Sequence, residues 1–188
     1  GIITYAPVIE AFLIIPVLEL FFKPNSKNLS DAEEEMSKDD RSYDIVLYLL
    51  VPIIFFLLWE FLLSMRENIS LFDKIGRILS MGLICGGFGI NVAHELGHRN
   101  NKLEQFLSKT LLLSSLYMHF FIEHNRGHHK RVSTKEDPSS ARYGENIFSF
   151  WLRSVFSGYV SAWNIEFKRL KRINKYKFSL ENEMLRFQ

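Results

Sequence analysis

Six histidines occur in this 188-residue chain, and all of them fall between positions 94 and 129. Five form two boxes, HELGH (His94, His98) and HNRGHH (His124, His128, His129), and His119 stands alone before the second. Imidazole titrates near neutral pH and binds transition metals through a neutral ring nitrogen, so a cluster of this density points to a metal. On a helix, residues four apart emerge on one face one turn apart, so His94 and His98 can converge on one ion. His124 and His128 repeat that spacing, and His129 adds a ring aimed elsewhere that can reach a second ion. Five imidazoles from two segments exceed what one four-coordinate zinc takes from protein, and they suit a two-metal site of the iron type.

Other chemistries use parts of the same pattern. HELGH alone satisfies HExxH, the zinc-protease motif, with Glu95 as base on a bound water. That reading leaves HNRGHH unexplained, because zincins add one further ligand and keep a position open. A non-enzymatic protein that binds haem or stores metal needs axial histidines facing one another across spans, not three crowded within HNRGHH. Solvated histidines without metal are the plainest alternative. Asn91, Glu95, His119, Glu123, Asn125, Asp137 and Glu145 lie close enough in sequence to orient ligand imidazoles.

The boxes must be positioned by the surrounding elements. Apolar residues make up 47% of the chain and are gathered in blocks. Residues 1–22, 45–65 and 75–93 each approach the roughly 20 apolar residues that cross a bilayer. The first lacks the ordered regions of a signal peptide and reads as a span. Residues 23–44 form a polar loop and 64–70 a short turn. Arg99, Lys102, Arg126, Lys130 and Arg131 surround the histidines, which places the boxes on the cytoplasmic face. Residues 103–122 cannot be a fourth straight span, because the 26 positions from His98 to His124 would run about 39 Å and part the two boxes. They are expected to form a re-entrant or interfacial helix, and residues 146–172, with Phe148, Leu152, Val155, Tyr159, Trp163 and Phe167 at helical spacing, an interfacial one. The expected fold is all-α: a polytopic membrane helical bundle with cytoplasmic-side interfacial helices, forming one catalytic domain over residues 1–188.

Minor features are consistent with this frame. Cys85 has no intrachain partner and reads as a small buried residue. A net charge of +2, without aromatic interleaving, excludes nucleic acid as a partner. Gly82 and Gly86 form a small-xxx-small pattern suited to close helix packing. Glu10, Glu19 and Glu60 lie within apolar spans and receive no chemical role.

Three stretches, NVAHELGHRNNKLE, HFFIEHNRGHHKRVSTKEDPSSARYGE and FSLENEM, together resemble the integral-membrane alkane 1-monooxygenases of bacteria. The resemblance runs over nearly the whole chain. The boxes themselves are shared with membrane fatty acid desaturases, hydroxylases and xylene-type monooxygenases, whereas EHNRGHHKRV and EDPSSARYGE are closer to the alkane enzymes. It implies a non-haem di-iron centre in the bacterial inner membrane that hydroxylates the terminal carbon of alkanes with dioxygen and electrons from rubredoxin. It also implies His94, His98, His124, His128 and His129 as iron ligands, with His119 outside the boxes. Arg126, Lys130 and Arg131 would offer a cationic contact to an acidic donor. The family's later histidine boxes and an earlier span have no counterpart in these residues. The chain therefore reads as an internal fragment with about half of the metal shell, expected not to hold a stable iron pair or turn over alone.

Overall fold

The computed structural model describes residues 1–22, 27, 28, 30 and 40–187. The proposed loop over 23–44 falls largely outside the described residues. All regular structure among the described residues is helical, as the apolar blocks require. Three helices are long and apolar enough to cross a bilayer: α1, Ile2–Glu19; α2, Arg41–Ser64; and α3, Leu71–His98. The chain divides into two compact units, Gly1–Val92 and Ala93–Gln188.

In the first unit, each helix start has a local cause. Asp40 caps α2 by accepting from the Ser42 N–H at 2.8 Å, and Ser70 caps α3 by accepting from the Asp73 N–H at 3.1 Å. Pro7 and Pro16 open the two regular stretches of α1, which a π-helical turn at Glu10–Ile14 separates. A second π-helical turn, Ile84–Ile90, interrupts α3 just before the first histidine box. No residue of the α1 window is buried, and large apolar side chains such as Phe12, Phe56, Trp59 and Leu62 are exposed, as lipid-facing helices demand.

The α1–α3 contact depends on Gly76. A Cβ at that position would stand 2.6 Å from Tyr5 Cε2 and also against Thr4 Oγ1. The Ser80 hydroxyl donates to the Thr4 carbonyl at 2.7 Å, and the Tyr5 hydroxyl donates to the Phe72 carbonyl at 2.9 Å. Gly82 and Gly86, expected to permit close packing, would meet nothing within 4 Å. The close approach is therefore made at Gly76 instead, where side chains of α1 lie over the glycine.

The second unit opens with the last turns of α3. Helix α4, Lys102–Leu113, is capped by Asn101, which accepts from the Leu103 N–H at 2.8 Å. Its 12 residues span about 18 Å, short of the roughly 30 Å hydrocarbon core. The chain reverses at Leu116, whose φ of 53° is left-handed, with the Tyr117 N–H donating to the Leu112 carbonyl at 2.9 Å. It then re-enters helix at α5, which comprises His119–Glu123, a π-helical turn His124–His128, and His129–Arg131. Helix α6, Ile147–Arg172, packs along α5, and α7, Glu183–Phe187, closes on α6. Ile122, Ala162 and Met184 form their shared core, with Trp163 and Ile165 against it. The flank of α6 carrying Phe148, Trp151, Leu152 and Phe156 stays exposed.

Gly76→Leu should destabilise the folded chain in detergent by about 1–3 kcal/mol through overpacking, whereas Gly82→Leu should leave stability near that of the unaltered chain. Reversible unfolding followed by circular dichroism reads both, and equal effects would contradict the packing described.

Candidate metal centre

The two boxes meet in the second unit. His94 and His98 project from the last turns of α3, and the fixed point beneath them is Leu96, which is fully buried. Gly97 lets α4 and α5 approach: a Cβ there would lie 3.0 Å from Ser108 Oγ and 3.5 Å from Phe121. Ser108 in turn donates to the Ala93 carbonyl at 2.5 Å.

HNRGHH does not form a regular α-helix. The π-helical turn His124–His128 carries an i→i+5 bonding pattern, so the residue five positions on comes beside the first. His129 Nε2 therefore lies 3.0 Å from His124 Nε2. His129, expected from α-helical spacing to aim elsewhere, faces the cluster, while the His128 ring stacks beside His124 with centroids 5.2 Å apart. Sequence spacing alone could not reveal this phase change.

Four ring nitrogens now approach one another in series. His98 Nε2 lies 3.0 Å from His94 Nε2 and 3.2 Å from His124 Nε2, which continues to His129. Each such nitrogen carries one proton or one lone pair, so it can make one hydrogen bond along its axis. His98 and His124 each have two nitrogen neighbours in this arrangement. Hydrogen bonds can serve the His94–His98 and His124–His129 contacts together only by leaving the His98–His124 contact unbonded, whereas a cation accepting lone pairs accounts for the approach of His94, His98 and His124 to one another. The spacings match the about 3 Å edge of a coordination polyhedron with metal–nitrogen bonds of about 2.0–2.1 Å. Donor atoms of His94, His98 and His124 lie within 4.8 Å of one another. Burial, together with the neighbouring imidazoles, lowers the His124 pKa to about 3, which keeps its ring neutral and able to bind.

Asp137 is the carboxylate beside this cluster. Its Oδ2 accepts from His128 Nδ1 at 2.8 Å, which leaves His128 Nε2 as the free lone pair. Burial pushes its carboxyl pKa up, but hydrogen bonds from the Ser140 hydroxyl, the Ser139 N–H and His128 outweigh this and hold it ionised. The loop carrying Asp137 is pinned by Arg153, which makes a two-pronged pair with Glu145 at 2.6 Å and donates to the carbonyls of Pro138 and Ser140. Arg153 and the Arg142 N–H lower the Glu145 pKa to about 2. Glu145 thus braces the Asp137 loop and binds no imidazole.

The remaining candidates take other partners. Asn91 donates to the Gly87 carbonyl, Asn125 to the Phe121 carbonyl, and Glu95 accepts from Arg99 at 3.3 Å. Glu123, buried, accepts from Arg131 at 2.8 Å and from the Ser161 hydroxyl at 3.2 Å; burial raises its pKa against those contacts. His119 lies apart from the four converging nitrogens, edge-on to Tyr117 and Tyr159, with Nε2 buried and unbonded and its pKa lowered by burial. Arg126 pairs with Glu183 and Glu166, while Lys130 is exposed. Arg153, Ser161, Glu166 and Glu183 lie far from the boxes in sequence, so nothing local marked them.

A family described as fatty acid desaturase matches residues 75–186, a stretch that contains both boxes. Alkane 1-monooxygenase of Acinetobacter baylyi is 38% identical over 174 residues, covering 92% of this chain and 42% of that protein. Alkane 1-monooxygenase 1 of Alcanivorax borkumensis is 34% identical over 174 residues, covering 92% of this chain and 43% of its own length. The xylene/toluene monooxygenase hydroxylase component of Pseudomonas putida is 27% identical over 112 residues, 60% of this chain and 30% of that protein. The chain thus spans less than half the length of the curated relatives it matches. With its converging imidazoles inside the matched stretch, the chain belongs to the fatty acid desaturase family.

Proposed function

We propose that this chain is part of a membrane non-haem di-iron monooxygenase that hydroxylates the terminal carbon of alkanes. The observation that carries the reading is the approach of four imidazole nitrogens in series, three of which, on His94, His98 and His124, lie close enough together to share one ion. The iron ligands in this reading are His94, His98, His124, His128 and His129, with His119 outside the set. Both units would serve one catalytic domain of the bacterial inner membrane, with the boxes on the cytoplasmic side, where Arg99, Lys102 and Lys130 gather. The alkane 1-monooxygenase relatives support the substrate class.

The overall change is R–CH3 + O2 + 2e− + 2H+ → R–CH2OH + H2O, with the electrons supplied by rubredoxin. Iron held by these histidines supplies the binding and reduction of dioxygen. The chain's own residues do the rest. Asp137 fixes the proton of His128 on Nδ1 and so orients the ring. Phe120 stacks on His124 with centroids 4.7 Å apart and also stands 6.3 Å from His94, giving the site an apolar wall. The apolar exterior of the spans lets an alkane arrive from the bilayer, where it partitions. Exposed Lys130 remains available to an acidic donor, whereas the forks of Arg126 and Arg131 are engaged within the chain.

Expressing the full-length gene in a host unable to oxidise alkanes, and analysing products from octane and hexadecane, should give 1-alkanols; an unsaturated fatty acid in their place would assign a desaturase. Asp137→Asn should lower iron retention by about 10–100-fold, read by metal analysis of the purified protein, and unchanged retention would sink the positioning role of that carboxylate. The metal-free chain should lose stability as pH falls below about 6.5, because an unfolded imidazole gains a proton that half-buried His124 refuses. Unfolding at pH 7.5 and pH 5 measures this, and His124→Asn should flatten the difference.

A further inference from the structure

We propose that Arg126 is a positioning residue of the metal centre, fastening the π-helical His124–His128 turn to α6 and α7 through Glu166 and Glu183. The inference rests on the reading of His124, His128 and His129 as iron ligands. Arg126 sits within the box, between two of those histidines. Its Nη2 donates to both carboxylate oxygens of Glu183, at 2.8 and 3.1 Å, and its Nη1 lies 3.5 Å from Glu166 Oε2. The Glu166 side chain is fully buried. It also takes two bonds from Arg169, at 2.6 and 2.8 Å, and the Glu183 N–H at 2.8 Å. Two guanidinium groups and two carboxylates thus balance in one network, with the buried carboxylate bonded on both oxygens.

The device answers a local need. A π-helical turn is rare, and it persists where surrounding structure holds it. Relaxation to an α-helix would rotate His129 away from His124 and break the nitrogen convergence. Arg126 secures the middle of the turn. A second tie joins the two flanks of the turn through Arg131 and Glu123 at 2.8 Å and fastens Arg131 to the Ser161 hydroxyl of α6 at 2.7 Å. Gly127 makes room for that tie, since a Cβ there would stand 2.6 Å from Arg131 Nη2 and 2.8 Å from Ile165. A cation placed for an electron donor would turn its fork to solvent, whereas the Arg126 fork is spent on two carboxylates of its own chain.

The test uses the full-length protein that contains this chain, with cobalt(II) as the metal probe. Arg126→Gln should weaken cobalt binding about tenfold or more and alter the ligand-field spectrum while helix content stays the same, and Arg126→Lys should recover most of the loss. Arg126→Gln with Glu183→Gln should bind no more than about twofold worse than Arg126→Gln alone, because the two residues act as one unit. Glu183→Gln, which leaves Arg126 its contact with Glu166, carries the same test in a milder variant if Arg126→Gln does not fold; it should weaken binding about three- to tenfold. Cobalt affinity and spectrum unchanged in these variants, or losses that multiply in the double variant, overturn the proposal, as does a change confined to the Michaelis constant for the electron donor. If the unaltered protein binds no metal, the functional reading itself fails, which separates the two.

Discussion

The structure turns on the crowding of imidazole nitrogens around one point. His94, His98, His124 and His129 bring their Nε2 atoms together at hydrogen-bond distances, yet an imidazole nitrogen has one proton or one lone pair to offer, so His98 and His124 can each bond only one of their two neighbours. Protonating the rings would set like charges against one another. A cation among His94, His98 and His124 relieves this, because each of those nitrogens then presents its lone pair. The surrounding elements can be understood as the means of holding four such rings against their own preferences.

Three supports do this. Helix α3 delivers the first box at its end, and buried Leu96 with Gly97 lets α4 and α5 close beneath it. The left-handed turn at Leu116 sends the chain back, so that α5 returns the second box to the first. The π-helical turn then sets the phase of the rings, and ion pairs to Glu166 and Glu183 with a hydrogen bond to Ser161 keep that turn in place. Asp137 stands one step further out, itself fixed by Ser140 and by the Arg153–Glu145 pair.

Much of this was legible in the residues. The three apolar blocks marked the long helices, because helix length and hydropathy are local properties. Histidine spacing located the boxes, and the distance argument against a straight fourth span follows from helical rise alone. The phase of His129 was not legible, because α-helical spacing assumes one hydrogen-bond register and the box adopts another. Nor were the partners of the flanking residues. Glu123, Asn125 and Glu145 carried the right chemistry to orient an imidazole, yet Arg131, the Phe121 carbonyl and Arg153 claim them. Such pairings join residues distant in sequence and are decided by tertiary packing. Gly82 and Gly86 show the same limit: a small residue permits a close contact without saying where one forms.

Iron K-edge X-ray absorption on the purified full-length protein tests the central claim most directly. A first shell of nitrogen with the outer-shell scattering of several imidazoles is the predicted result. A shell of sulfur or of water and carboxylate oxygen without imidazole scattering would contradict it.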